Sequence, residues 1–229
     1  MLAAIYHNFG PPSVINLKEL PIPKPKKNEI LVRVYASALN PIDCDLRKGR
    51  LKFLQFFKKS RIPGCDFAGK VVSVGSNCAR IKPGDDVFGF IPPLKSGACA
   101  EYLAVKENYT AVMPPSLTYE EAASLPLVSL TSLQALRNLA RLKLGDMIFV
   151  HGASGGVGTI AIQIARHLGA EVHASCSSKN TDLLRQNGAD QVINYNHNLI
   201  LGLNDCYDVF FDIYGNMPFQ KIKHLLFPR

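Results

Sequence analysis

Gly152-Ala153-Ser154-Gly155-Gly156-Val157-Gly158 is the stretch of sequence that decides the fold of this chain. It follows the apolar run Met147–Val150 and opens the amphipathic segment Val157–Leu168. A glycine-rich turn between a buried strand and a helix directs free backbone N–H groups and the positive end of the helix dipole at one point, which favours phosphate binding. This context predicts a dinucleotide-binding βα unit, and the alternative is a glycine-rich helix entry without a ligand.

The segments around and after this turn alternate between strand and helix patterns. In chain order we predict strand, helix, strand, helix, strand and strand over Met147–Val150, Val157–Leu168, Glu171–Cys176, Asn180–Gln186, Gln191–Tyr195 and Tyr207–Asp212. This alternation predicts a parallel, doubly wound sheet. Since a complete dinucleotide fold of this type has six strands, we expect an incomplete Rossmann sheet with an open edge beside its fourth strand, and one more helix over Phe219–Phe227.

The end of the second predicted strand indicates which dinucleotide binds. Sites for NAD usually place an acidic residue there, which bonds the ribose 2′-hydroxyl. Here the chain reads Ser175-Cys176-Ser177-Ser178-Lys179, without an acid. Two hydroxyls and an ammonium group can instead hold the 2′-phosphate of NADPH, so NADPH is the predicted cofactor. An ordinary polar loop after a strand is the alternative.

The first half of the chain is predicted to be β-rich. Short strand patterns separated by turn signals, as in a compact barrel-like domain, occur at Leu2–Tyr6, Val14–Leu20, Glu29–Leu39, Asp66–Val74, Val87–Ile91 and Ala100–Val105. The pattern changes at Ser116–Glu121, where a hydroxyl residue and early acids indicate the start of a helix. We therefore predict a β-domain over residues 1–115 and a nucleotide-binding domain over residues 116–229.

The composition excludes several classes of protein. Hydrophobic residues make up 47% and charged residues 19% of the chain, which is enough apolar material for a packed core, so disorder is not expected. No apolar run is long enough to span a membrane, and residues 1–10 lack the pattern of a signal peptide. We therefore expect a cytoplasmic protein without a membrane partner. The six cysteines are scattered, without the close spacing of a structural zinc site.

Much of the formal net charge of +8 lies in the stretch Arg47–Arg61, which has no acid and carries phenylalanines between its bases. One interpretation is a patch that binds nucleic acid or an anionic membrane. The other is a solvated loop or short helix whose aromatic residues dock on the core. We favour the second, because a charge run alone is weak evidence, and nucleic acid is not the expected partner.

Several separate motifs, in the same order along the chain, resemble the quinone oxidoreductase branch of the medium-chain dehydrogenase/reductase family. Besides the glycine-rich loop they are Ala38–Asp43, Lys82–Val87, Ala122–Pro126 with Thr131, and Gly188–Tyr195. The resemblance implies a GroES-like β-barrel domain followed by a Rossmann domain. It implies NADPH-dependent hydride transfer to a quinone or an α,β-unsaturated carbonyl. It also implies that the family's return to the catalytic domain, and the dimer contact commonly formed by its sixth strand, are missing here.

The same resemblance assigns candidate site residues. Those expected at the pyrophosphate are Ser154, Gly155, Gly156 and Val157, and those expected around the adenosine phosphate are Ser177, Lys179 and Tyr195. Thr131 would lie near the nicotinamide ribose. Asn40 would face the substrate, and a turn residue before proline is an equal alternative. Zinc-bearing relatives have a cysteine where Asn40 stands and a histidine where Cys65 stands, so no metal is expected and Cys65 is interpreted as a core thiol.

Two other functions stay open beside the oxidoreductase. The first is a catalytically silent remnant that binds NADPH and reduces nothing. The second is an RNA-binding protein that uses the basic stretch Arg47–Arg61. No catalytic dyad is visible in the sequence, and the identity of the substrate does not follow from it.

Overall fold

The chain folds as two units, Met1–Leu127 and Val128–Arg229. The computed structural model describes residues 1–54, 61–195, 200–204 and 206–228. Within these ranges no helix is both long enough and apolar enough to cross a membrane.

The first unit is built mainly of antiparallel strands. Its strands are β1 (Leu2–Ile5), β2 (Asn16–Glu19), β3 (Glu29–Ala38), β4 (Asp66–Val74), β5 (Asp86–Phe90), β6 (Tyr102–Lys106) and β7 (Thr110–Val112). Its helices are α1 (Pro41–Lys48) and α2 (Tyr119–Ser124). Five strands form one antiparallel sheet in the order β6-β3-β4-β5-β7, and β1 pairs with β2. The prediction of a β-rich first half is confirmed.

The core of the five-stranded sheet follows from the alternation of side chains along its strands. In β5 every second residue is buried, beginning with Val87, and Ile30 and Val32 of β3 are fully buried on the same core. Phe67 of β4 is the largest side chain of this cluster. Burial of each such side chain stabilises the fold by roughly 1.5–3 kcal/mol.

Helix α1 falls partly in the stretch interpreted as a solvated loop or short helix. Gly49 ends it in the left-handed region, with φ of 78°. Two bases of the stretch pack into the first unit: Arg47 is buried and donates to the Gly10 carbonyl, and buried Arg61 donates to the His7 carbonyl at 3.0 Å. The Arg61 guanidinium also lies 4.5 Å from the centre of the Phe9 ring. Residues 55–60 of the stretch lie outside the described residues.

The division between the two units falls after Leu127, whereas the sequence pattern predicted a domain boundary at residue 115. Helix α2 accounts for the difference, because its buried Ala122 and Ala123 pack against Ala68 of β4. Thr118 caps this helix by accepting the N–H of Glu121 at 3.2 Å, as the hydroxyl and early acids indicated. The boundary at residue 115 stays a prediction.

The second unit contains a parallel sheet covered by helices. Its strands are β8 (Met147–His151), β9 (Glu171–Cys176), β10 (Gln191–Asn194) and β11 (Val209–Asp212). The helices in and leading into it are α3 (Pro126–Leu133), α4 (Gly156–His167), α5 (Thr181–Gln186) and α6 (Phe219–Ile222). A π-helical segment, Gln134–Leu139, follows α3. The helix predicted over 219–227 is shorter, since α6 ends at Ile222 and continues as a 3₁₀ turn.

All described pairings in the second sheet are parallel, in the order β10-β9-β8-β11. This is the third-second-first-fourth order of a Rossmann half, so the predicted doubly wound sheet is confirmed. The order reverses between β8 and β11. In open sheets of this kind ligands bind outside the carboxyl ends of the strands at such a reversal.

The two faces of this sheet bury different helices. On one face α4 packs through small residues and one large one, with Ala161, Ile162 and Ala165 fully buried. On the other face Phe149 of β8 packs with Tyr207 and Leu225. Ile160 and Ile164 of the same helix are only half-buried. The short side chains of α4 let the helix lie close to β8 and so fix the turn that joins them.

Candidate nucleotide-binding site

The turn between β8 and α4 has the geometry of a phosphate-binding loop. Gly152 adopts φ of 78°, which disfavours any other residue. A Cβ added at Gly158 would lie 2.5 Å from the backbone of Ala153, so glycine there permits the close approach of helix and strand. Ala153 keeps a negative φ, which explains why alanine is tolerated where the strict fingerprint has glycine.

Space is open where the sequence predicted the pyrophosphate. A Cβ added at Gly155 would meet only the Gly152 carbonyl oxygen, at 3.9 Å, and both Gly155 and Gly156 are exposed. Ser154 and Val157, on either side of these glycines, are half-buried. The first N–H groups of a helix have no partner within the helix. The first turn of α4 therefore presents donors and the positive dipole end to open space, which fits a phosphate group.

Helix α3 lies beside the start of α4. The Ser132 hydroxyl lies 2.8 Å from the Val128 carbonyl and 2.9 Å from the Val157 carbonyl, and its single proton can be donated to either. A Cβ added at Gly156 would lie 3.0 Å from Val128. Thr131, predicted at the nicotinamide ribose, is exposed on this helix. The structure thus brings the helix that carries Thr131 to the phosphate-binding turn.

The three residues predicted at the adenosine phosphate follow two neighbouring strands. Ser177 comes directly after β9 and accepts a hydrogen bond from the Asn180 amide at 3.4 Å. Lys179 is exposed in the 3₁₀ turn that follows. Tyr195 comes after β10, and its N–H donates to the Cys176 carbonyl at 3.2 Å. These hydroxyls and the ammonium group therefore follow the carboxyl ends of the paired strands β9 and β10, without an acid between residues 175 and 181.

A cavity of about 610 Å³ opens at the same edge of the sheet. It is lined by His151, Tyr195, Ile200, Leu201, Tyr214, Asn216 and Met217. Of these only Tyr195 was predicted. The signal that marks His151 is its position as the last residue of β8, directly before the glycine-rich loop, whereas the residues after β11 follow no motif that single-sequence reasoning recognises.

Asp212 shapes the segment after β11. Its Oδ1 accepts the N–H of Tyr214 at 3.1 Å and of Gly215 at 3.0 Å, and its Oδ2 accepts the N–H of Met217 at 2.7 Å. The turn places the Tyr214 ring over the glycine-rich loop, where a Cβ added at Gly152 would lie 2.6 Å from it. One carboxylate thus folds the segment that forms one wall of the cavity.

In the first unit Asn40 is held by two buried carboxylates. Its backbone N–H donates to Asp43 at 2.9 Å, and its side-chain Nδ2 donates to Asp66 at 2.8 Å. Asp66 also accepts the N–H of Leu127 in the first turn of α3, at 3.0 Å. Asn40 is therefore the N-cap residue of α1 and precedes Pro41, and its role toward a substrate stays a prediction.

Burial dominates the protonation of Asp66. Only 1% of the residue is exposed, and this raises the pKa of its carboxyl to about 6, although the hydrogen bonds from Asn40 and Leu127 favour the ionised form. The neighbouring Asp43 carboxylate raises the pKa further.

Comparisons with known proteins agree with this geometry. The alcohol dehydrogenase GroES-like domain family matches residues 26–123, and the zinc-binding dehydrogenase family matches residues 156–223. The quinone oxidoreductase from Coxiella burnetii is 35% identical and superposes with a TM-score of 0.89 over 98% of this chain and 72% of that one. The chain belongs to the quinone oxidoreductase branch of the medium-chain dehydrogenases/reductases. Its GroES-like and Rossmann parts are thereby confirmed.

Two curated relatives extend the comparison. A chloroplastic quinone-oxidoreductase homolog from Spinacia oleracea is 41% identical over 77% of this chain and 55% of its own length. A chloroplastic NADPH-dependent alkenal/one oxidoreductase from Arabidopsis thaliana is 36% identical over 94% of this chain and 58% of its own length. The chain thus spans little more than half the length of these two medium-chain dehydrogenases/reductases.

The zinc named in one matching family does not fit the residues of this chain. Burial and the Asp43 carboxylate raise the pKa of the Cys65 thiol well above its usual value, and Cys65 donates to Asp43 Oδ1 at 3.4 Å. Zinc is bound by thiolate, imidazole and carboxylate groups, and the amide of Asn40 is none of these. Among the described residues no group of three or more His, Cys, Asp or Glu side chains is placed to hold a metal ion.

Proposed function

We propose that this chain binds NADPH at the carboxyl edge of its parallel sheet and acts as an oxidoreductase that transfers hydride to a quinone or an α,β-unsaturated carbonyl. The observation that carries the proposal is the open phosphate-binding turn at Gly155, combined with hydroxyl and ammonium groups after β9 and β10. The names of the Arabidopsis and spinach relatives support the cofactor and the acceptor class.

Each group of residues has a definite task in this proposal. The first turn of α4, with Ser154, Gly155, Gly156 and Val157, holds the pyrophosphate through N–H donors and the helix dipole. Ser177, Lys179 and Tyr195 hold the 2′-phosphate. Thr131 bonds the nicotinamide ribose and Asn40 orients the acceptor. When bound, NADPH supplies the hydride, and a quinone takes the accompanying proton from water, so no catalytic dyad is needed.

The proposal that Ser177 lies at the 2′-phosphate of NADPH is tested by placing a negative charge at this position. NADPH and NADH are titrated against the full 229-residue chain, with nucleotide fluorescence as the readout. The Ser177→Asp variant is expected to weaken NADPH binding at least tenfold through repulsion and desolvation, while NADH binding changes little. The matched control is Ser76→Asp, which adds the same charge in an exposed turn of the first unit.

Two results would contradict this assignment. Equal affinity of the wild-type chain for NADPH and NADH would contradict the proposed specificity for NADPH, although the nucleotide site itself would still be supported. A folded chain that binds neither nucleotide would contradict the site itself. If NADPH binds, quinones and enones are then screened by loss of nucleotide absorbance, and a panel without any turnover would favour the silent nucleotide-binding alternative.

Two further statements belong to this proposal. We expect a cytoplasmic protein, although the relatives include chloroplastic forms. We expect no metal and no nucleic acid partner. Two bases of the stretch 47–61, Arg47 and Arg61, are buried in the first unit and are poorly placed to meet RNA phosphates.

A further inference from the structure

His151 is a buried polar residue at the carboxyl end of β8, directly before the glycine-rich loop. We propose that it is a positioning residue whose hydrogen bonds hold the glycine-rich loop to the ends of both neighbouring strands, β9 and β11. The arrangement of His151 with Ser175 and Asn216 is called the latch below. The proposal concerns the free protein, and its consequence for nucleotide affinity rests on the proposed function.

The side chain of His151 forms two hydrogen bonds in opposite directions. Its Nδ1 lies 2.8 Å from the Ser175 hydroxyl of β9, and its Nε2 lies 3.2 Å from Oδ1 of Asn216, after β11. The amide oxygen of Asn216 can only accept, so Nε2 carries the proton. In the neutral ring Nδ1 is then an acceptor, and the Ser175 hydroxyl donates to it.

The Ser175 hydroxyl connects His151 to the glycine-rich loop by hydrogen bonds. With its proton directed at His151, the Ser175 Oγ accepts the N–H of Gly152, at 3.4 Å. The Ser175 backbone carbonyl accepts the next N–H, from Ala153, at 3.0 Å. Two successive N–H groups of the loop are therefore held by one residue, and His151 fixes the orientation of that residue's hydroxyl.

The backbone of His151 also joins the start of the glycine-rich loop to β11. It pairs with Asp212 in the parallel register, and its carbonyl accepts the N–H of Ile213 at 3.2 Å. The His151 and Tyr214 rings also form a T-shaped pair, with centroids 5.6 Å apart. The strand order reverses between β8 and β11, so the latch lies where a bound nucleotide would cross the sheet edge.

A second histidine of the same sheet provides a matched control. His173 of β9 is as buried as His151, each with 6% exposed, and also forms two side-chain hydrogen bonds of 3.0 Å, to Tyr207 and Glu171. None of these partners belongs to the candidate site. Substitution of His173 therefore reports the general effect of removing a buried, bonded imidazole from this sheet.

The test separates the two halves of the latch by substitution. His151→Asn keeps a polar atom near the Nδ1 position and so can keep the Ser175 bond, whereas His151→Gln reaches only toward Asn216, and His151→Leu keeps neither. Amide hydrogen exchange of Gly152 and Ala153 is followed by NMR in the full chain without nucleotide. NADPH affinity is then measured by fluorescence for each variant and for His173→Leu.

The expected result is at least tenfold faster exchange at Gly152 and Ala153 in His151→Leu and His151→Gln, with near wild-type exchange in His151→Asn. NADPH affinity is expected to fall about tenfold in the same two variants, as for one lost hydrogen bond that leaves a buried group unpaired. His173→Leu is expected to lower stability while leaving loop exchange and affinity unchanged.

Other outcomes overturn the latch. If the His151 and His173 variants change loop exchange alike, His151 is an ordinary core residue. Equal exchange in His151→Asn and His151→Gln likewise overturns the proposal, and this comparison decides the matter even if His151→Leu does not fold. A wild-type chain that binds no NADPH contradicts the proposed function alone, because the exchange measurement needs no nucleotide.

Discussion

Substitution of Asp66 by Asn should remove a pH dependence of stability that this buried carboxyl creates. Its pKa is about 6, compared with a usual 3.8. A group with a raised pKa in the folded state stabilises that state at low pH, and the stabilisation is lost as the pH rises through the folded-state value. One unit below that value, at pH 5, the contribution of Asp66 is about 1.4 kcal/mol, and by pH 7.5 it is close to zero.

The assay is urea unfolding of wild type and Asp66→Asn at intervals between pH 5 and 7.5. The difference in unfolding free energy between them should change by about 1.4 kcal/mol across this range, with the wild type losing stability toward high pH. The absolute stability of the variant is not the readout, because an amide facing the Asn40 and Leu127 donors can accept from only one of them through its oxygen.

Asp86→Asn is the matched control for this measurement. Asp86 lies on the neighbouring strand, forms an exposed ion pair with Lys70 at 2.7 Å, and has a lowered pKa because of hydrogen bonds from Lys70 and Tyr119. Its contribution to stability is lost only as the pH falls through that lowered value, below the measured range. If Asp66→Asn has the same slope as wild type between pH 5 and 7.5, burial does not control the protonation of Asp66 and the reasoning is refuted.

Three further outcomes follow from packing, backbone geometry and capping. Gly152→Ala should lower the unfolding free energy by about 1–3 kcal/mol, because φ is positive there and Tyr214 covers the site. A second substitution, Tyr214→Ala in the Gly152→Ala chain, should recover only part of this loss. Full recovery would show that the cost comes from the ring alone and not from the backbone conformation. Ile162→Ala should cost about 2–5 kcal/mol in urea unfolding, since the side chain is fully buried under α4, and a loss below about 1 kcal/mol would contradict that packing. Thr118→Ala should cost about 1 kcal/mol by removing the cap of α2, and Thr118→Ser, which keeps the hydroxyl, should cost much less.

The sequence predicts the long, regular strands of both units better than the short elements. Strands β4 and β9 were predicted with their observed bounds. The strand order of the second unit follows from the βαβ alternation, because buried parallel strands and glycine-ended helices leave clear patterns. In the first unit β7 was missed, since three residues of one edge strand carry too short a pattern. Helix α1 was missed because two of its three buried residues, Asp43 and Arg47, are charged, so its sequence shows no apolar stripe.

In the candidate site, too, local features could be predicted from the sequence and long-range contacts could not. The phosphate-binding turn is local in sequence, so its glycines could be identified directly. The latch joins His151, Ser175 and Asn216 across separations of 24 and 65 residues, and these partners meet only because parallel strands bring their carboxyl ends to one edge. The burial that raises the pKa of Asp66 is likewise a property of the packed first unit, in which Leu127 and Asn40 both donate to its carboxylate.

The turn that Asp212 holds after β11 has an entropic consequence for ligand binding. Three backbone N–H groups of that turn are already bonded to its carboxylate in the free chain. Ordering a mobile backbone residue costs about 1–2 kcal/mol, and a ligand that meets a turn already folded does not bear that cost. Entry at this wall should therefore need little rearrangement of the main chain between Asp212 and Met217.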